Sequence, residues 1–242
     1  MIHADARDGF TLLTIDRPEV ANALDAEHCA SIAAAVQDSA ARGDRALVLT
    51  GVEGRFSAGA DFRGVHGDDF RTHHQAMLTG LLEAPMPVIA AVNGPAIGAG
   101  MQLALAADLR VVDDDAVFGI PTARLGLAVD PWTIERLASV VGSAVARRVL
   151  MLCEHLPATD PALVPLIDRR GDLEVACEMA ADLAGMAPLT LRYIKTALDR
   201  LAAGEPQSDD AHTSYRAIWA SADSREGLTA RREGRAPRFG GS

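Results

Sequence analysis

Short apolar runs bounded by turn-forming residues recur through the first half of the chain, at 10–16, 46–51 and 88–92. Their length and β-branched content predict buried strands. Between them the apolar period lengthens. Over 25–42, Cys29, Ile32, Ala33 and Val36 share one helical face, and Asp25 is placed as the N-cap. Over 69–84, Phe70, Met77, Leu78 and Leu81 do the same, until Pro85 and Pro87 stop the helix. The polar, glycine-containing segment 64–69 reads as a loop. Residues 101–107 are nearly all apolar, as in a buried helix. Short strands are expected at 109–112 and 116–118. Asp130-Pro131 opens another helix, 143–152 is helical, and 156–171, with three prolines, is irregular. From 172 onward strands cease. Helices are expected at 172–186, 188–203 and 209–221, with stripes Val175, Met179, Leu183 and Leu191, Ile194, Leu198. The pattern predicts an α/β unit over 1–171 and a helical region over 172–242.

One stretch, PVIAAVNGPAIGAGMQLALAAD (87–108), combines a strand, a turn and a helix start. Gly98, Ala99 and Gly100 leave little side chain above the backbone. N–H groups at a helix start lack intrahelical partners, and the helix dipole favours negative charge there. Small residues admit a ligand carbonyl close to those donors, which suits an oxyanion hole. A second small-residue turn, FSAGADF (56–62), follows the strand at 46–51 and offers another donor.

Composition narrows the choice. The 242 residues are 49% hydrophobic but only 4% aromatic, so Ala, Val and Leu must fill most of the core. A formal net charge of −10 argues against general binding of nucleic acid or anionic membrane. Cys29, Cys153 and Cys177 have no metal-ligand spacing and suit structural thiols in a reducing cytoplasm. The polar, acidic first nine residues lack signal-peptide character, and the apolar runs are too interrupted to span a membrane.

The two turns together, with ANAL (21–24), VFGIPTARLGL (117–127) and REGLTARREGRAPRF (225–239), resemble the crotonase superfamily, the enoyl-CoA hydratases and isomerases. The likeness covers nearly the whole chain in order. GPAIGAGMQLA with LGLAVDPW most resembles a mycobacterial-type subgroup of hydratase homologues. The resemblance implies a ββα spiral core and a C-terminal helical region that assembles trimers, often pairs of trimers. It implies a coenzyme A thioester as ligand, with no metal or further cofactor. It assigns the two oxyanion donors to the N–H groups of Ala60 and Ala99. Val20, Ala21, Asp61, Phe62 and Arg63 would line the coenzyme path. Arg17 and Arg63 would be phosphate contacts, unless they are ordinary solvated surface.

The chain departs from the family where hydratases carry two glutamates. Those positions hold Gln102 and Thr122. Neither an amide nor an alcohol moves protons near neutral pH as a carboxylate does, and losing one such group costs about 10²–10⁴-fold in rate. Asp130 is the carboxylate left nearby; related enzymes use an aspartate there, and here it also reads as a helix cap. Trp132 would wall an acyl pocket. His66, His73 and His74 read as solvated, and Asp113–Asp115 as an acidic turn. Three functions follow: a binder or carrier of fatty acyl thioesters, an isomerase, thioesterase or slow hydratase working through Asp130, or an interaction protein without the ligand. The intact turns argue against the last.

Overall fold

The computed structural model describes residues 1–63, 67–206 and 208–242. Of the loop expected at 64–69, residues 64–66, including His66, lie outside the described residues. Strands β1 (Ile2–Ala6) and β2 (Phe10–Ile15) pair antiparallel. Then come α1 (Ala26–Arg42), β3 (Ala46–Gly51), α2 (Asp68–Leu82), β4 (Val88–Val92), β5 (Ala96–Ile97), α3 (Ala99–Ala106), β6 (Leu109–Val112) and β7 (Val117–Gly119). Helix α4 (Pro131–Met151), β8 (Leu156–Pro157) and β9 (Arg169–Arg170) follow, then helices α5 (Leu173–Ala184), α6 (Pro188–Ala202), α7 (Asp209–Ala220) and α8 (Ala222–Glu233). The large sheet runs β1-β2-β3-β4-β6-β9, parallel from β2 onward. A small sheet, β5-β7-β8, stands apart from it. This is the mixed α/β architecture that the apolar pattern implies.

Strands β3 and β4 are buried at every position, which explains their continuous apolar runs. Successive side chains still point to opposite faces. Leu47, Leu49, Val88, Ala90 and Val92 join the main core with α1, α2 and α3. Ala46, Val48, Ile89 and Ala91 face a second core closed by Ala176, Met179 and Ala180 of α5. The expected division at 171/172 therefore falls between the sheet and a helix packed on it. Helix α4 contains a break at Gly142 (φ 80°, ψ 154°), between the two helices expected there. Besides the two-residue strands β5, β8 and β9, the last two inside the segment expected to be irregular, two longer elements escape the apolar pattern. Strand β1 is an edge strand exposed at four of its five residues, and α8 buries only Asp223 and Ala230.

Helix α6 is tied to the sheet by one buried ion pair. Lys195 Nζ donates to Asp108 Oδ2 at 2.8 Å and to the carbonyls of Leu81 (3.0 Å) and Met86 (3.4 Å). Asp108 Oδ2 also accepts the Val88 N–H at 2.8 Å. Removing one member of such a pair leaves the other unmatched in a low-dielectric place. Lys195→Met should lower unfolding free energy by about 3 kcal/mol, read from urea denaturation. A change near zero would mean that packing alone holds α6.

Candidate functional site

The two small-residue turns meet backbone to backbone. Ser57 donates its N–H to Pro95 O, and Ile97 donates to Ser57 O, both at 3.0 Å. On the other side Leu24 donates to Gly59 O and accepts from Asp61 N–H, both at 2.7 Å. In this parallel bridge Ala60, opposite Leu24, turns its own N–H away from Leu24. A Cβ on Gly59 would lie 2.5 Å from Ile97 O and 3.3 Å from Ala99 N. A Cβ on Gly100 would lie 2.3 Å from Ser57 O. Only glycine allows this approach. Ala99 is the first residue of α3, so its N–H has no acceptor inside the helix. Among the described residues neither the Ala60 nor the Ala99 N–H has a partner. Two uncommitted donors thus lie on abutting backbone.

The approach to this pair is built by the segment after β2. Ala21 (φ 54°) and Asn22 (φ 59°) follow the short helical turn Pro18–Val20 in left-handed backbone. Asn22, which the sequence reading passed over, makes that turn possible. Its buried side chain donates to Val52 O and Arg55 O and accepts the Arg17 N–H. Ser57 Oγ in turn donates to Asn22 O. Ala21 O accepts the Ala58 N–H, so Val20 and Ala21 do sit beside the second turn.

Arg17 is not a free phosphate contact. Its guanidinium turns inward, with Nη2 on Asp61 Oδ2 at 2.8 Å and Nη1 on Ala23 O at 3.0 Å. Arg63 is different: it grips Asp61 at 2.7 Å yet keeps 72% of its side chain exposed. Phe62 beside it is 66% exposed. Asp61 itself is buried, and the Arg63 side chain, its backbone N–H and then Arg17 hold its carboxyl far below the usual range.

Behind the donors lies a closed polar network. Gln102 is 7% exposed and donates Nε2 to Asp130 Oδ2 (2.8 Å) and Thr133 Oγ1 (2.7 Å). A carboxylate only accepts, so the amide nitrogen must face Asp130. Thr133 donates its N–H to Asp130 Oδ1 (3.0 Å) and its hydroxyl to Oδ2 (2.7 Å). Asp130 is therefore the cap of α4 and the partner of Gln102 at once. Thr133, buried and unremarked in the sequence, completes the network. Thr122 sits half-buried in the short helical turn Pro121–Leu125, where its carbonyl accepts Gly126 and Leu127 N–H groups. Trp132, half-buried, packs on the main core and lines a cavity of about 470 Å³ with Leu82, Arg136, Lys195 and Asp199.

Of the two helix α2 histidines, His73 meets the expectation of a solvated residue. His74 corrects it. Its ring stacks on Phe70, with centroids 5.4 Å apart, and its Nε2 is buried. The signal was present: His74 lies four residues after Phe70 and three before Met77, on the inward stripe.

The acidic end of the pH range tests the Asp61 clamp. A folded-state pKa below the unfolded value adds stability above about pH 4, and that stability is lost as pH falls through the folded value. Asp61→Asn should lower the urea midpoint at pH 7, and the gap to wild type should narrow at pH 3. A gap independent of pH would mean that the clamp contributes no charge-based stability.

Comparison with known proteins identifies the family and the fold. Residues 5–242 match the family model described as enoyl-CoA hydratase/isomerase. The proteins described as probable enoyl-CoA hydratase echA6 from Mycobacterium tuberculosis and Mycobacterium leprae are each 38% identical, over all of both chains. A crystal structure of an enoyl-CoA hydratase/isomerase family protein from Hyphomonas neptunium superposes with a TM-score of 0.90 at 28% identity, covering 100% of this chain and 98% of that one. An enoyl-CoA hydratase homologue from Streptomyces coelicolor gives 0.89 at 30%, covering 100% and 94%. The chain belongs to the enoyl-CoA hydratase/isomerase family, and its fold is the crotonase fold.

Proposed function

We propose that the chain binds fatty acyl-CoA thioesters, with the thioester carbonyl on the N–H groups of Ala60 and Ala99, and that it hydrates enoyl thioesters poorly. It then acts as a binder or carrier in fatty acid metabolism, in the cytoplasm. Arg63 and Phe62, an exposed cation and an exposed ring beside Asp61, suit the phosphates and adenine of the coenzyme. Against a net charge of −10, such a local cation is needed.

The observation that carries this reading is the engagement of Gln102. Family hydratases hold and activate water with two carboxylates. Here the amide that replaces one is committed to Asp130 and Thr133, and Thr122 replaces the other. Turnover through Asp130 is the second reading. Its adjacency to Gln102 favours it, while three hydrogen bonds hold its carboxylate as a cap.

Ala99 is a clean place to test the donor. Pro is tolerated at the first position of a helix, and Gly98 before it (φ 55°, ψ −118°) has no Cβ to clash. Ala99→Pro should delete the N–H, keep the helix, and weaken acyl-CoA binding by roughly tenfold or more in calorimetry. Equal affinity would remove the donor assignment. Wild-type hydration of a short enoyl-CoA should be negligible beside that of family hydratases; comparable turnover, abolished in Asp130→Asn, would establish the second reading.

The assembly belongs to the same proposal. Leu198, Leu201, Tyr215, Trp219 and Leu228 of α6–α8 are half or more exposed, and large apolar side chains left exposed on successive helices support a subunit contact there. We assign that face to a homotrimer, or a hexamer made of two trimers. Light scattering should give three or six times the chain mass, and Trp219→Glu should shift it downward. A monomeric wild type at micromolar concentration excludes the assignment.

A further inference from the structure

We propose that the cavity between α2, α4 and α6 is a second ligand site, which takes a small organic carboxylate with an apolar body. The proposal goes beyond the acyl-thioester reading and does not depend on it. None of Ala60, Ala99, Gln102 and Asp130 lines this cavity.

The cavity, of about 470 Å³, has the size of a small-molecule site. Leu82 at the end of α2, Ala84 just after it and Trp132 of α4 give it an apolar wall. Helix α6 forms the opposite wall. Arg192, Thr196 and Asp199 recur at intervals of four and three residues, so they share the helix face turned to the cavity. Leu198 and Leu201, assigned above to a subunit contact, turn away from that face.

The ligand class follows from which charges are already committed. Lys195 is held by Asp108 and two carbonyls. Arg136 donates to Leu105 O at 3.3 Å and lies 3.8 Å from Asp199. Arg200 gives Nη2 to Pro206 O at 3.2 Å, with Glu205 at 3.4 Å. Its Nε is buried and unpaired, the one such side-chain atom in the cavity lining among the described residues. Arg192, more exposed, has no hydrogen bond or ion pair among the described residues. The lining therefore lacks an acceptor, and a buried donor left unmet is costly. Glu83 and Glu135 also line the cavity, but they are exposed and water serves them. A carboxylate makes charge-assisted hydrogen bonds to guanidinium groups. Glu205 and Asp199 belong to the same lining, so a doubly charged phosphate is repelled more strongly than a singly charged carboxylate. Trp132 and Leu82 then cover the apolar body.

The chain has two tryptophans, Trp132 and Trp219, so Trp219→Phe leaves Trp132 as the sole reporter. The probes are benzoate and its neutral counterpart benzamide, titrated into that variant by fluorescence and into wild type by calorimetry. Benzoate should change the Trp132 emission saturably and bind roughly tenfold more tightly than benzamide. Arg192→Gln and Arg200→Gln should each remove most of that preference. Should Arg200→Gln fail to fold, Arg192→Gln, a change at an exposed position, gives the same comparison. Ala99→Pro should leave benzoate affinity unchanged. No saturable binding of benzoate by wild type, or equal affinity for the two probes, overturns the inference. A preference that survives the arginine variants overturns it too, because other groups then hold the carboxylate. Loss of benzoate binding in Ala99→Pro would put the probe on the acyl donors and remove the second site. If benzoate binds as expected and acyl-CoA does not, the inference stands and only the acyl-thioester reading fails.

Discussion

The close approach of two backbone turns is the constraint on which the rest of the structure depends. Ser57 and Ala96 form a single bridge, and Gly59 and Gly100 bring main chain against main chain on either side of it. No side chain fits between. This forces β3 and β4 to deliver their ends to the same place, and it fixes the start of α3. The parallel pairing of β3 with β4 does the first part, and the Ser57 hydrogen bonds do the second. The Ala99 donor is left over because α3 starts there, and the Ala60 donor because Ala60 turns its N–H away from Leu24.

That arrangement stores cost as well as function. Unpaired N–H groups and left-handed backbone at Ala21 and Asn22 each oppose folding by roughly 1–3 kcal/mol. Asn22 offsets this with a buried side chain bonded to three backbone groups. The Arg17–Asp61–Arg63 cluster adds charge-assisted bonds across the same region. The two turns are therefore held by hydrogen bonds and ion pairs of the chain itself.

Much of this was legible in the sequence, and the failures have definite causes. Buried strands and one-sided helices announce themselves because burial dictates apolar period, so β2, β3, β4, α1 and α2 could be read directly. Strand β1 and helix α8 could not, since they bury little and leave no period to read. The small-residue turns marked the donors, but nothing in the spacing showed that Arg17 would turn inward, because its partner Asp61 lies 44 residues on. His74 was misjudged from its polarity, although its place on the Phe70–Met77 stripe already pointed it inward. Thr133 carried no signal in the sequence, and only the fold brings it to Gln102.

Gln102 and Asp130 are best understood as one choice rather than two. A carboxylate at 102 would lie within hydrogen-bond distance of the Asp130 carboxylate, in a place only 7% exposed at Gln102. Two such charges repel, and one would have to take up a proton to remain there. The amide removes the conflict and reverses its sign, because Nε2 donates where a carboxylate oxygen would only accept. Asp130 can then cap α4 while also anchoring α3. The cost falls on chemistry: an amide does not take up and release a proton near neutral pH as a carboxylate does. A carboxylate placed at 102 alone would therefore create this repulsion, and relieving it would mean removing the cap that starts α4.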